Sequence, residues 1–267
     1  LLDKPGIISF AGGAPDPELF PCEALAEAAY NVLKNQGKVA LQYGVTEGYT
    51  PLRNWVKGRL ISQGIIKEGD NNETIIVSGG QQGIDLAAKS LLNPGDGLVC
   101  EEPSFIGGLN SFRSYNAEIY GVKVLSDGID MDALEELLKE HRNIKALYTI
   151  ATFQNPSGIT MSLEKRKKLY ALAKQYGVMV LEDNPYGDLR VSGTPLPTIK
   201  SMDEDGIVIY AGSFSKILSP GLRVAYCISP KTVMAKMTVG KQASDVHTPC
   251  LNQMIVDEWF KNYDVDA

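Results

Sequence analysis

Ser213, Ser215 and Lys216, with Arg223 further on, follow an apolar run at residues 207–211. A run rich in Ile, Val and Tyr reads as a strand, which places the lysine at a strand end. Ligands of open α/β sheets bind at that end. A lysine amine there can form a Schiff base with an aldehyde, and a serine hydroxyl with a guanidinium can hold a phosphate. An ordinary lysine on a surface loop fits the same residues, and the motif alone leaves both readings open.

Three other stretches share that position. Gly79-Gly80-Gln81-Gln82-Gly83 lies between an expected strand at 74–77 and an expected helix at 82–92. Small residues at such a turn free backbone N–H groups for an anion, and the helix dipole favours it. A tight turn that needs glycine for backbone reasons alone is the commoner explanation. Asn155-Pro156-Ser157-Gly158 follows an expected strand at 144–150; its amide could donate to a ligand oxygen, or simply start a turn. Glu182-Asp183 closes a third run, with Tyr186 three residues beyond the aspartate. A buried carboxylate needs a partner such as a protonated ring nitrogen, whereas two acids in solvent would only cap the strand.

The elements that must position these groups alternate along the chain. Strands are expected at 74–77, 97–100, 118–122, 144–150, 178–181, 207–211 and 224–228. Helices are expected at 22–35, 82–92, 106–115, 131–141 and 162–176, with a further amphipathic stretch at 251–263. Asp130 is the expected N-cap of one helix and Ser162 a weaker cap of another. Strands separated by helices predict an α/β fold with a mostly parallel sheet of about seven strands, covered on both faces. Residues 1–50, rich in Gly and Pro, are expected to form an arm or edge segment, and residues 51–267 the main domain. The face carrying Glu164, Lys165, Lys167 and Lys168 reads as solvated.

Composition narrows the function classes. With 26 basic against 32 acidic residues and a net charge of −6, the chain offers no general nucleic-acid surface. No apolar run is long enough to span a bilayer and no signal-peptide pattern is seen, so a cytoplasmic setting and no membrane partner are expected. Cys22, Cys100, Cys227 and Cys250 are scattered, without the paired spacing that holds a metal. His141 and His247, the two histidines, are expected to be structural. The chain starts at Leu1 and stops after the 251–263 stretch, and it reads as a piece of a longer protein.

Four motifs in this order, each after a separate strand, resemble the fold-type I pyridoxal-phosphate aminotransferases. The subgroup is the one that includes 2-aminoadipate, kynurenine and aromatic or branched-chain transaminases. Phe10-Ala11-Gly12-Gly13-Ala14-Pro15, Leu41-Gln42-Tyr43-Gly44 and Gly48-Tyr49-Thr50-Pro51-Leu52-Arg53 match it too, so the likeness runs from about Ile7 to about Gln253. The resemblance implies that Lys216 carries the cofactor as a Schiff base and Asp183 pairs with its ring nitrogen. Asn155 and Tyr186 would bond the phenolic oxygen and Phe105 would stack on the ring. Gly80, Gln81, Ser213 and Arg223 would hold the phosphate. Tyr43 would reach the site of a partner subunit in a homodimer, and Gly13 would lie beside the substrate. Many relatives have a hydroxyl residue in place of Gly80, and often tyrosine in place of Phe105.

The implied activity is a ping-pong transamination between an amino acid and a 2-oxo acid, with 2-oxoglutarate as acceptor. Lys216 would be the general base. Relatives hold the substrate carboxylate with an arginine from a small C-terminal domain, expected to lie outside these residues. Two alternatives keep the same cofactor: a lyase or decarboxylase of this fold, or the sensor domain of a transcription regulator.

Overall fold

Apolar strands need cover on both faces, and here amphipathic helices provide it. The computed structural model describes residues 13–265. In chain order the elements are α1 (Cys22–Ala40), α2 (Thr50–Ser62), β1 (Asn72–Val77), α3 (Gly80–Leu91), β2 (Gly97–Glu102) and α4 (Ile106–Ser114). Then come β3 (Glu118–Leu125), β4 (Gly128–Ile129), α5 (Met131–Glu140), β5 (Ile144–Thr149), α6 (Leu163–Tyr176) and β6 (Met179–Asn184). The described chain closes with β7 (Val208–Ser213), β8 (Ala225–Pro230), α7 (Lys231–Ser244) and α8 (Cys250–Asn262).

The strands form one eight-stranded sheet in the order β1-β8-β7-β6-β5-β2-β3-β4. The run β7-β6-β5-β2-β3 is parallel. β8 is antiparallel to both β7 and β1, because no crossover helix intervenes between β7 and β8. The eighth strand, β4, is a two-residue return against β3. The expected mostly parallel α/β sheet is therefore present, with its antiparallel side at β8.

One core lies between the sheet and α3, α4 and α7, built on Ile84, Leu86, Phe112, Tyr148, Leu181 and Met237. A second lies under α5 and α6, built on Leu134, Leu138, Leu147, Leu169 and Val180. Leu181 and Val180 fall in different cores because a strand alternates its faces. Chain order reverses between β2 and β5, so the segments after them diverge to opposite faces and leave a crevice.

Two helices were not expected. In α2, Leu52, Val56 and Leu60 are buried on one stripe, and in α7 Met234, Met237 and Lys241 are. The i, i+3/i+4 spacing is legible, but Pro51 and Gly240 mask it; Pro51 in fact sits in the first turn, where no N–H is needed. Asp130 and Ser162 cap α5 and α6 as expected. On α6, Glu164, Lys167 and Lys168 are exposed as expected, and Lys165 is the exception. Lys165 folds back onto Asp127 at 2.7 Å, and Arg166 beside it is fully buried. The start of the resemblance, up to Gly12, lies outside the described residues.

Candidate active site

β6 carries the acidic end of the crevice. Asp183 is buried on the α3 side of the sheet, and its Oδ2 accepts from the Tyr148 hydroxyl at 2.8 Å. No described cation pairs with it. Burial pushes its carboxyl up to about 7; the Tyr148 hydrogen bond pulls it down and Glu101 pushes it up. Its neighbour Glu182 is buried on the other face, where the N–H groups of Ile199 and Lys200 donate to it at 2.9 and 2.8 Å.

The loops after β2 and β5 flank that aspartate. Phe105 stands at the N-cap position of α4 without a side-chain cap bond, and its ring lies over Gly107, where a Cβ would collide with it. Asn155 Nδ2 donates to the Tyr186 hydroxyl at 3.2 Å. Burial raises the Tyr186 phenol, with the Asn155 bond opposing and Asp183 adding to the rise.

The basic end lies at β7 and α3. Lys216 is half-buried in the turn after β7; its Nζ donates to the Gly13 carbonyl at 2.8 Å, and burial lowers its proton affinity. Ser213 Oγ accepts from the Ser215 N–H at 3.1 Å. Arg223 has the left-handed φ of 53° and donates through Nη2 to the Ser78 carbonyl at 3.2 Å. Gly79, at φ 88°, makes room for it, since a Cβ there would collide with the guanidinium. α3 starts at Gly80 without a side-chain cap. The Gln82 N–H is taken by the Gly79 carbonyl, whereas the N–H groups of Gly80 and Gln81, with the guanidinium, could hold an anion.

A family model for aminotransferase class I and II matches residues 5–261. The chain belongs to that family. It is 42% identical over 263 residues to aromatic-amino-acid aminotransferase 1 of Thermococcus litoralis, covering 96% of this chain and 62% of that protein. The crystal structure of a multiple substrate aminotransferase from Thermococcus profundus matches with a TM-score of 0.94 at 40% identity, over 99% of this chain and 66% of that one. An alpha-aminoadipate aminotransferase from Thermus thermophilus, complexed with N-(5'-phosphopyridoxyl)-L-leucine, matches at 0.89 and 42%, over 97% and 65%. The chain thus spans just under two thirds of the length of each.

Within this aminotransferase fold, Lys216, Asp183, Asn155, Tyr186, Phe105, Ser213, Arg223, Gly13 and the Gly80-Gln81 turn all lie at the carboxyl ends of strands or in the segments that follow or face them. Tyr43 hydrogen-bonds none of them; its side chain is 81% exposed, with its ring edge against His247. His247 Nε2 accepts from the Gly44 N–H at 3.3 Å. His141 lies against the Tyr120 ring.

Two residues of the site went unread in the sequence. Tyr148 is an apolar-looking member of a strand, and nothing local marks its hydroxyl. Glu101 did carry a signal: Glu101-Glu102 closes β2 as Glu182-Asp183 nearly closes β6. It is buried and accepts from Thr149 Oγ1 at 2.5 Å, the Ile150 N–H at 3.2 Å and Gln154 Nε2 at 3.1 Å. Since Gln154 also donates to the Pro103 carbonyl, Glu101 ties the Phe105 loop to the Asn155 loop.

Proposed function

We propose that this chain is the cofactor-binding part of a pyridoxal-phosphate-dependent aminotransferase. The observation that carries the reading is Asp183, a buried carboxylate with a single neutral hydrogen-bond donor. A buried acid of this kind lacks a cation, and a protonated ring nitrogen would supply it. The cradle of Gly79, Arg223 and the uncapped α3 terminus suits a phosphate in the same crevice. The residues therefore fit the cofactor. When bound, pyridoxal phosphate supplies an electron-accepting ring joined to the substrate amine.

The chain's own groups then have separate tasks. Asp183 keeps a proton on the ring nitrogen. Asn155 and Tyr186 hydrogen-bond the phenolic oxygen, and Phe105 flanks the ring. Gly80, Gln81, Ser213 and Arg223 bind the phosphate. Lys216 anchors the aldehyde carbon and, with its amine free, takes the proton from the substrate's α-carbon. Burial favours that task by lowering the amine's proton affinity. Gly13 lies beside the substrate, and Tyr43 serves a partner subunit in a homodimer. Residues 51–267 form the cofactor domain and 1–50 its arm, in a cytoplasmic enzyme that uses 2-oxoglutarate as acceptor.

The test is the visible spectrum of the full-length protein with pyridoxal phosphate, followed through a panel of amino acids. The expected result is an absorbance band of lysine-bound cofactor that fades with glutamate or 2-aminoadipate and is absent from Lys216→Ala. A band that forms but answers to no amino acid would favour a sensor. A Lys216→Ala protein that transaminates at the parent rate would sink the assignment.

A further inference from the structure

The turn that opens α3 is braced from behind by side chains with no task in the mechanism above. Lys241, on α7, is fully buried. Its Nζ donates to Gln82 Oε1 at 2.6 Å and to both carboxylate oxygens of Asp245 at 2.9 and 3.0 Å. Gln82 Nε2 donates to Asp245 Oδ2 at 2.7 Å, and so does the Ser78 hydroxyl at 2.8 Å. The Ser78 N–H donates to Gln82 Oε1 at 2.8 Å. Its carbonyl accepts from Arg223. Ser78, the residue that leads into Gly79, is thus held by hydroxyl, N–H and carbonyl together.

A buried ion pair is a costly brace, because two charges must leave water, and apolar side chains of similar volume often serve as well. What an ion pair adds is charge. Burial lowers the proton affinity of Lys241, and the Asp245 carboxylate opposes that. Burial acts to raise the Asp245 carboxyl, yet hydrogen bonds from Gln82, Lys241 and Ser78 hold it below the usual range. An ionised carboxylate therefore stands one side chain behind the anion cradle, with the Lys241 ammonium against it. Without that ammonium, Asp245 would repel any anion bound at the Gly80 turn.

We infer that Lys241 and Asp245 are positioning residues for the cofactor's phosphate, the pair fixing Ser78 and the Lys241 charge cancelling the carboxylate behind the cradle. This rests on the reading of Gly80, Gln81 and Arg223 as the phosphate site. A mere brace and a charged brace differ in sign. Removing either partner should loosen a brace. By contrast, only removal of the lysine should weaken anion binding electrostatically.

The experiment is calorimetric titration of the full chain at pH 7 and low ionic strength with inorganic phosphate, and separately with pyridoxal, which lacks the phosphate. Lys241→Met should weaken phosphate binding by roughly tenfold, and Asp245→Asn should leave it as tight as wild type or about threefold tighter. The double variant should return to within about threefold of wild type. Pyridoxal binding should be unchanged in all three. Wild-type protein that binds no phosphate would instead sink the phosphate site itself. Asp245→Asn weakened as much as Lys241→Met would leave only a brace and overturn the inference. Phosphate bound equally by Lys241→Met and wild type would overturn it too. If Lys241→Met does not fold, Asp245→Asn binding phosphate roughly tenfold more weakly than wild type would by itself overturn the inference, and binding as tight as wild type or tighter would uphold it.

Discussion

Glu182 and Asp183 are adjacent in the chain and buried on opposite faces of β6, yet the two faces treat a carboxylate differently. On one face Glu182 accepts from two backbone N–H groups, with Arg166 and Lys200 near enough to favour its charge. Lys200 is itself paired with Asp203 at 2.8 Å, both side chains 1% exposed. That face is closed by the chain's own groups. On the other face Asp183 has one phenol, and another acid, Glu101, raises its proton affinity further. The fold finishes one buried acid with backbone donors and leaves its neighbour with a single neutral donor, which is why the proposed cofactor's protonated ring nitrogen suits Asp183. Burial alone therefore does not tell the two acids apart; their partners do.

The contrast can be broken most directly at Asp183. Asp183→Asn should slow transamination by about 10³- to 10⁴-fold, roughly 4–5.5 kcal/mol of barrier, while the cofactor-free protein folds as before. Steady-state rates beside a circular dichroism melt would check this, and an undiminished rate would make the two faces equivalent. At Glu182 the expected loss is in stability. Glu182→Ala should cost about 3 kcal/mol in urea unfolding of the cofactor-free protein, because two buried N–H groups and nearby cations lose their acceptor. A cost under about 1 kcal/mol would show that face to be dispensable.

The smallest effect sharpens the comparison through pH. The Asp183 carboxyl is raised to about 7 in the folded chain, above its ordinary value of 3.8. Between those values the folded protein holds a proton that the unfolded chain has released. The stability this provides is present at low pH and is lost as pH rises towards 7. Cofactor-free wild type should thus lose about 2 kcal/mol relative to Asp183→Asn between pH 5 and 7. Unfolding free energies of the two proteins at each pH would measure it. Parallel curves would mean that Asp183 already has a countercharge.

Most of the site's chemistry was legible because it lies in short motifs at strand ends. Gly79-Gly80-Gln81, Asn155, Asp183 with Tyr186, and Ser213 with Lys216 were each marked by residue type and by an apolar run before them. The groups that support them were not. Tyr148 meets Asp183 across 35 residues, and Lys241 meets Gln82 across 159. Neither residue has a local pattern that departs from an ordinary strand or helix. The lysine even occupies an apolar stripe of α7, where it reads as an error until its partners are known.

Sequence by itself determined the alternation of strands and helices, the mostly parallel sheet and the order of the motifs, since hydrophobic period and turn chemistry act over a few residues. Only the tertiary structure decided that β8 turns antiparallel, that β2 and β5 leave a crevice between diverging loops, and that Glu182 is completed while Asp183 is not. Those outcomes depend on which groups from distant segments reach a buried atom. Desolvation and hydrogen-bond geometry settle that, and both exist only once the layers have packed.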